Sequence, residues 1–250
     1  MNPGRLPLRH DAAIIRRLRW PWSRDAVIVA VAVGWIALGL AFEQTGGIGL
    51  QRAIGAATWI VLFGLLRGES TGVRTQVIAL VAVATFAECV ASLVLGLYIY
   101  RLDNIPAFVP PGHGVVYLAA VALGRRIRAH REVRRAALAA LMLGGLWVLW
   151  SMTLSARPDA IGALLFVLFA GYIVAGRAPE LYTAAFFLTG CLEILGTALG
   201  NWTWAPTTPL VLASMGNPPS GVAGAYCLLD AAALLTAPAA SRLLSRLRPA

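Results

Sequence analysis

Three carboxylates fall inside long apolar runs of this chain: Glu88, Glu193 and Asp230. An ionisable group in such a run costs several kcal/mol and faces a bundle interior or a water-filled cavity. These three, with His113 after Pro110-Pro111-Gly112, are therefore the candidate catalytic residues. Glu88 is followed by Tyr98-Ile99-Tyr100, Arg101, Asn104 and Tyr117. Glu193 is followed by Asn201, Trp202-Thr203-Trp204, Asn217 and Tyr226. These aromatic and polar groups are the candidate substrate-binding residues. Two carboxylates facing one another in a dry, aromatic-rimmed cavity allow one to stay a neutral acid while the other is a base. That arrangement protonates an alkene and removes or accepts a proton. Aromatic faces stabilise the cationic intermediate. A lipid rich in double bonds, carotenoid or other isoprenoid, suits such a cavity.

The elements that carry these residues are apolar helices. With 59% hydrophobic and 13% charged residues over 250 positions, the composition is that of a polytopic α-helical membrane protein. Apolar runs at about 26–43, 50–66, 75–98, 108–123, 136–154, 161–176, 181–200 and 221–240 give eight helices. The second, fourth and sixth are short for a span, which leaves seven as the other count. Cys89, Cys191 and Cys227 lie inside these runs without C-x-x-C spacing and read as small buried hydrophobes. The first run starts only near Ala26 and no A-x-A-type site follows it, so it reads as a retained helix rather than a cleaved signal.

All 21 basic residues are Arg. The lack of Lys excludes a Schiff-base lysine and a lysine-dependent phosphate loop. With the N-terminus inside, six Arg precede the first helix, Arg67 and Arg74 share the next inner turn, and six lie between 125 and 135. Arg177, Arg242, Arg246 and Arg248 complete an inner set of eighteen, against Arg52, Arg101 and Arg157 outside. This bias predicts eight spans with both termini cytoplasmic, and it accounts for the net charge of +10 without a nucleic-acid partner. The abundance of Arg, Ala and Gly points to a GC-rich bacterial genome, hence the bacterial cytoplasmic (inner) membrane.

The 105-residue offset between Glu88 and Glu193 predicts two parallel four-helix repeats. The expected layout is a basic interfacial arm over 1–24, with Ile14, Ile15, Leu18, Trp20 and Trp22 on the membrane surface, and a first repeat over 25–124. An Arg-rich cytoplasmic loop follows over 125–135, then a second repeat over 136–240 and a basic tail over 241–250. Read as the outer ends of continuing helices, the Tyr-x-Tyr and Trp-x-Trp pairs would lie about 13–18 Å above their glutamates. The proline-bearing connections 101–111 and 205–220 would then be lids, the second dipping into the membrane through Leu210, Val211, Leu212 and Met215. No cofactor is expected. His10 and His130 lie in Arg-rich segments, so a metal would fall to Glu88, Glu193 and His113 alone and none is assigned.

A membrane glutamate followed by Tyr-x-Tyr or Trp-x-Trp and a proline-bearing loop, in two blocks, resembles the integral-membrane carotenoid hydratases. More distantly, it is similar to the duplicated lycopene-cyclase domains. The resemblance covers Glu88–Tyr117 and Glu193–Tyr226, roughly a quarter of the chain, and the Pro-x-Glu-Glu signature of the cyclases is absent. It implies proton-initiated chemistry on a polyene, with Glu88 and Glu193 as acid and base. Hydration and isomerisation stand ahead of cyclisation. The expected partners are the bilayer and a hydrophobic lipid substrate; the oligomeric state is left open. Two other classes fit the same features: a small proton-coupled transporter or lipid flippase, and a non-catalytic subunit that docks through the 124–135 arginines.

Overall fold

The computed structural model describes residues 23–127, 129–209 and 211–246, with side chains to residue 238. The surface arm assigned to 1–24 lies, but for its last two residues, outside the described residues, as do Arg128, Leu210 and residues 247–250. Among the described residues the chain forms eight α-helices and one two-stranded ribbon. Each of the eight apolar runs became a helix.

Helix α1 (Arg24–Glu43) starts on Ser23, whose Oγ accepts from the Ala26 N–H, with Asp25 in the first turn. Helix α2 (Ile48–Leu66) follows, and α3 (Thr71–Glu88) starts on Ser70, whose Oγ accepts from Val73 N–H. Beyond Glu88 the α3 helix widens into a π-helical segment, Cys89–Val94. Strand β1 (Tyr98–Tyr100) precedes α4 (Val109–Arg126), which accommodates Pro110 and Pro111 because a helix's first turn needs no donated N–H. Helices α5 (His130–Thr153) and α6 (Ala160–Ala175) come next. Then α7 (Pro179–Ala198), β2 (Trp202–Trp204) and α8 (Ala223–Arg246) complete the order.

The segment 125–135, expected as a loop, is mostly helical. Arg125 and Arg126 end α4 and residues 130–135 open α5. Arg is a good helix former, so charge alone does not break a helix.

Helices α3, α4, α7 and α8 form the centre, with α3 packed on α8 and α4 on α7. Helices α1 and α2 cover α4, while α6 covers α8 and α5 lies on α6 and α7. Tyr117, Leu118, Phe169 and Tyr182 fill the main core. Five helices are long and apolar enough to cross a membrane: Arg24–Glu43, Ile48–Leu66, Thr71–Val94, His130–Thr153 and Pro179–Ala198. Ala160–Ala175 and Ala223–Pro238 are apolar but shorter. The outward faces are apolar too: Ile60 is 72% exposed, Phe86 72% and Val174 82%. Water-soluble proteins do not present such a surface at this extent, and together these features suggest a multi-pass membrane protein.

Candidate functional site

Each glutamate is met by the aromatic pair that follows it, through a chain reversal rather than a continuing helix. Gly96 (φ +59°) and Gly200 (φ +73°) adopt the left-handed conformation two residues before Tyr98 and Trp202. The chain then folds back, so the expected 13–18 Å separation is overturned. The Tyr98 and Tyr100 hydroxyls both donate to Glu88 Oε2 at 2.8 Å. The Trp202 and Trp204 Nε1–H groups donate to Glu193 Oε2 at 2.9 and 3.1 Å.

Strand periodicity makes this possible. Residues i and i+2 of a strand share a face, so both rings of each pair point to one carboxylate while Ile99 and Thr203 point away. The two strands pair antiparallel, Tyr98 with Trp204, Ile99 with Thr203 and Tyr100 with Trp202. This register is self-complementary: a two-fold through the Ile99–Thr203 pair exchanges the strands. Ring contacts follow it, with Tyr98–Trp204 centroids 4.6 Å apart and Tyr100–Trp202 centroids 6.1 Å apart.

The second oxygen of each glutamate meets a helix from the centre of the bundle. His113 Nε2 of α4 lies 2.9 Å from Glu88 Oε1, and the Tyr226 hydroxyl of α8 donates to Glu193 Oε1 at 2.9 Å. The His113 and Tyr226 rings are 5.8 Å apart. The two centres differ in their protons. Indole N–H groups only donate, so Glu193 Oε2 holds both of its bonds only while unprotonated. Tyrosine hydroxyls and an imidazole both give and accept protons, so the Glu88 centre can carry an exchangeable proton without breaking its network.

Glu88, Glu193, His113, Tyr98, Tyr100, Trp202, Trp204 and Tyr226 all line one cavity of about 350 Å³. The rest of its wall is largely apolar, including Leu40, Phe108, Leu192 and Met215. Trp35 lies against it, its Nε1–H donating to Thr58 Oγ1 at 3.0 Å. Of the second connection, Thr208 and Met215 reach this wall, whereas Val211 and Leu212 are exposed.

The remaining predicted residues are elsewhere. Asp230 and Tyr117 line a separate small cavity one helical turn away. Arg101, Asn104 and Asn201 are tied into a polar staple around Glu43, a buried residue that sequence reasoning missed because it ends α1 beside Gln44 and Thr45. Glu43 receives Gln51 Nε2 at 3.1 Å, Arg101 Nη2 at 3.0 Å and Asn201 Nδ2. Asn104 Nδ2 donates to Gln51 Oε1 at 2.7 Å. The staple joins α1, α2 and the residues that flank the two strands, and none of these three lines the large cavity. Asn217 likewise serves the backbone, its Oδ1 accepting from Trp204 N–H at 3.0 Å.

Asp159 was also missed. It is fully buried at the start of α6 and accepts from the backbone N–H groups of Gly162, Gly216 and Ser220 and from Ser220 Oγ. It latches the 205–222 connection over the cavity. The signal available was an N-cap Asp before an apolar run, but its loop partners are about 60 residues distant. Cys89, Cys191 and Cys227 are free thiols, of which Cys191 is exposed, not buried. Among the described residues no group of three or more His, Cys, Asp or Glu side chains is arranged to hold a metal ion. Compared with protein-family models, curated proteins and solved structures, the chain finds no match.

Proposed function

We propose that this protein is a membrane-embedded acid–base enzyme that hydrates or isomerises a double bond at the end of an isoprenoid or carotenoid-like lipid. The observation that carries the reading is the convergence of two differently wired carboxylates, Glu88 with His113 and Glu193 with two indoles and a tyrosine, on one otherwise apolar cavity. The Glu88–His113 centre donates a proton to the alkene carbon. Tyr98, Tyr100, Trp202 and Trp204 face the resulting carbocation. Glu193, whose carboxylate oxygens accept from Trp202, Trp204 and Tyr226, takes a proton from the attacking water, giving a tertiary alcohol, or from the neighbouring carbon, giving an isomerised alkene. At about 350 Å³ the cavity takes a drug-sized portion of a ligand, so one end of a long polyene enters while the rest stays among the lipids.

In this reading all eight helices cross the bacterial inner membrane, with both termini cytoplasmic, as two parallel four-helix repeats. Support comes from the Arg distribution and from the self-complementary ribbon. The ribbon and the Glu43 staple bind the two halves together, which favours a fixed enzyme cavity over a transporter whose halves rock.

The test is mass spectrometry and absorption of lipids extracted from the purified wild type and the Glu88→Gln/Glu193→Gln double variant. A prenyl lipid bound to both, but hydrated or isomerised only by the wild type, is expected. Bulk phospholipid alone from both, or equal product from both, removes the reading.

A further inference from the structure

Resting on that enzymatic reading, hydration leaves a proton imbalance inside the site. The Glu88–His113 centre loses a proton to carbon as the π bond opens, and Glu193 gains one as water forms the new C–O bond. Alkene and water have become alcohol with no net proton change, but the proton now sits on the wrong glutamate. A second turnover requires its return.

The structure holds a route for this. His113 and Tyr226 line the small cavity as well as the large one, and Tyr117, Thr189 and Asp230 complete its polar wall. His113 and Tyr117 are four residues apart on α4, and Tyr226 and Asp230 four apart on α8, so each pair stacks along one helix face about 6 Å apart. The column thus has an upper layer bonded to the glutamates and a lower layer toward the Arg125 end of α4. Asp230 is 5% exposed and makes no ion pair or hydrogen bond among the described residues. The cavity beside it measures about 10 Å³, close to the space one water needs, with several polar partners.

We propose that Asp230, with one water in this small cavity, returns the proton from Glu193 to the Glu88–His113 centre after each turnover. Glu193 Oε1 passes its proton to the Tyr226 oxygen as the Tyr226 hydroxyl proton moves to the water and Asp230. Asp230 delivers a proton to His113 Nδ1, and the Nε2 proton passes to Glu88 Oε1. The imidazole then regains its Nε2–H tautomer by giving Nδ1–H to water on one side and taking a proton from water on the other, with no net proton change. No external acid is consumed. Asp230 is a relay residue that does not touch the lipid.

The experiment uses the full chain in proteoliposomes with lycopene, an acyclic C40 polyene, as probe. Asp230→Asn is expected to keep a first turnover of one product per protein while its steady-state rate falls roughly 10²-fold, with Asp230→Glu recovering part of the loss. An unchanged steady-state rate, or loss of the first turnover together with it, overturns the relay. No product from the wild type counts against the enzymatic reading instead. The relay is then read without substrate, from deuterium exchange of the Glu88 carboxyl infrared band. Asp230→Asn should slow that exchange at least about tenfold, and unaltered exchange overturns the relay.

Discussion

At the scale of single residues, the protein separates carboxylates by what bonds to them. Glu193 is held by groups that cannot accept a proton on one oxygen, Glu88 by groups that can, and Asp159 by four donors that saturate it in a purely structural post. Glu69, in the turn between α2 and α3, is a fourth case. The Arg125 guanidinium grips it with two hydrogen bonds at 2.9 and 3.0 Å, and Arg24 approaches to 3.2 Å. The hydrogen bonds from Arg125, with its charge and those of Arg24 and Arg74, outweigh burial and hold the Glu69 carboxyl below its usual 4.5. A depressed folded-state value contributes stability that is complete above 4.5 and is lost as pH falls through the folded value. Acidification below about pH 4.5 should therefore destabilise the wild type more than Glu69→Gln, by about 1–2 kcal/mol for one such partly buried pair. Thermal unfolding of both proteins between pH 3 and 7 checks this, and parallel curves would count against it.

At the scale of elements, the two tight reversals after α3 and α7 decide the site. A helix that simply continued would carry each aromatic pair away from its glutamate; a left-handed glycine followed by three extended residues brings it back. The 205–222 connection that closes the cavity is held at Asp159, with Arg157 donating to the Trp204 carbonyl at 3.0 Å and to that of Ala205. Removing a carboxylate that satisfies three backbone N–H groups leaves them unpaired in an enclosed place. Asp159→Ala should therefore cost about 2–4 kcal/mol and raise proteolytic cleavage within 205–222 before global unfolding. Cleavage no faster than in the wild type would show that the latch holds nothing.

At the scale of the whole molecule, the proposed topology places the Glu69 turn and the α4–α5 connection on one side, and the 101–104 and 155–158 segments on the other. Single cysteines introduced at Ser70 and Ala129 should react with an impermeant thiol reagent only in inside-out vesicles, and those at Asp103 and Ser155 only in right-side-out ones. The native Cys89, Cys191 and Cys227 are replaced in that background. Labelling of all four from one side would overturn the eight-span arrangement while leaving the cavity geometry intact.

Much of this was legible in the chain. Apolar run length sets where helices form, because a backbone out of water must bond within itself, and all eight runs are helical. The cost of charge in an apolar run singled out Glu88, Glu193 and Asp230, and recurrence of an aromatic pair after a glutamate marked both halves of one cavity. Spacing could not say that Tyr98, Tyr100, Trp202 and Trp204 turn back to bond those carboxylates. That depends on two glycine dihedrals and on a strand pairing between residues about a hundred positions apart. Nor could it place Arg101, Asn104 and Asn201 in the Glu43 staple rather than on the cavity wall, since their partners lie on other helices. Local physics in the sequence determined which segments are helices and which groups had to be enclosed. Only the tertiary packing decided which enclosed groups touch each other, and so which of them face an open cavity.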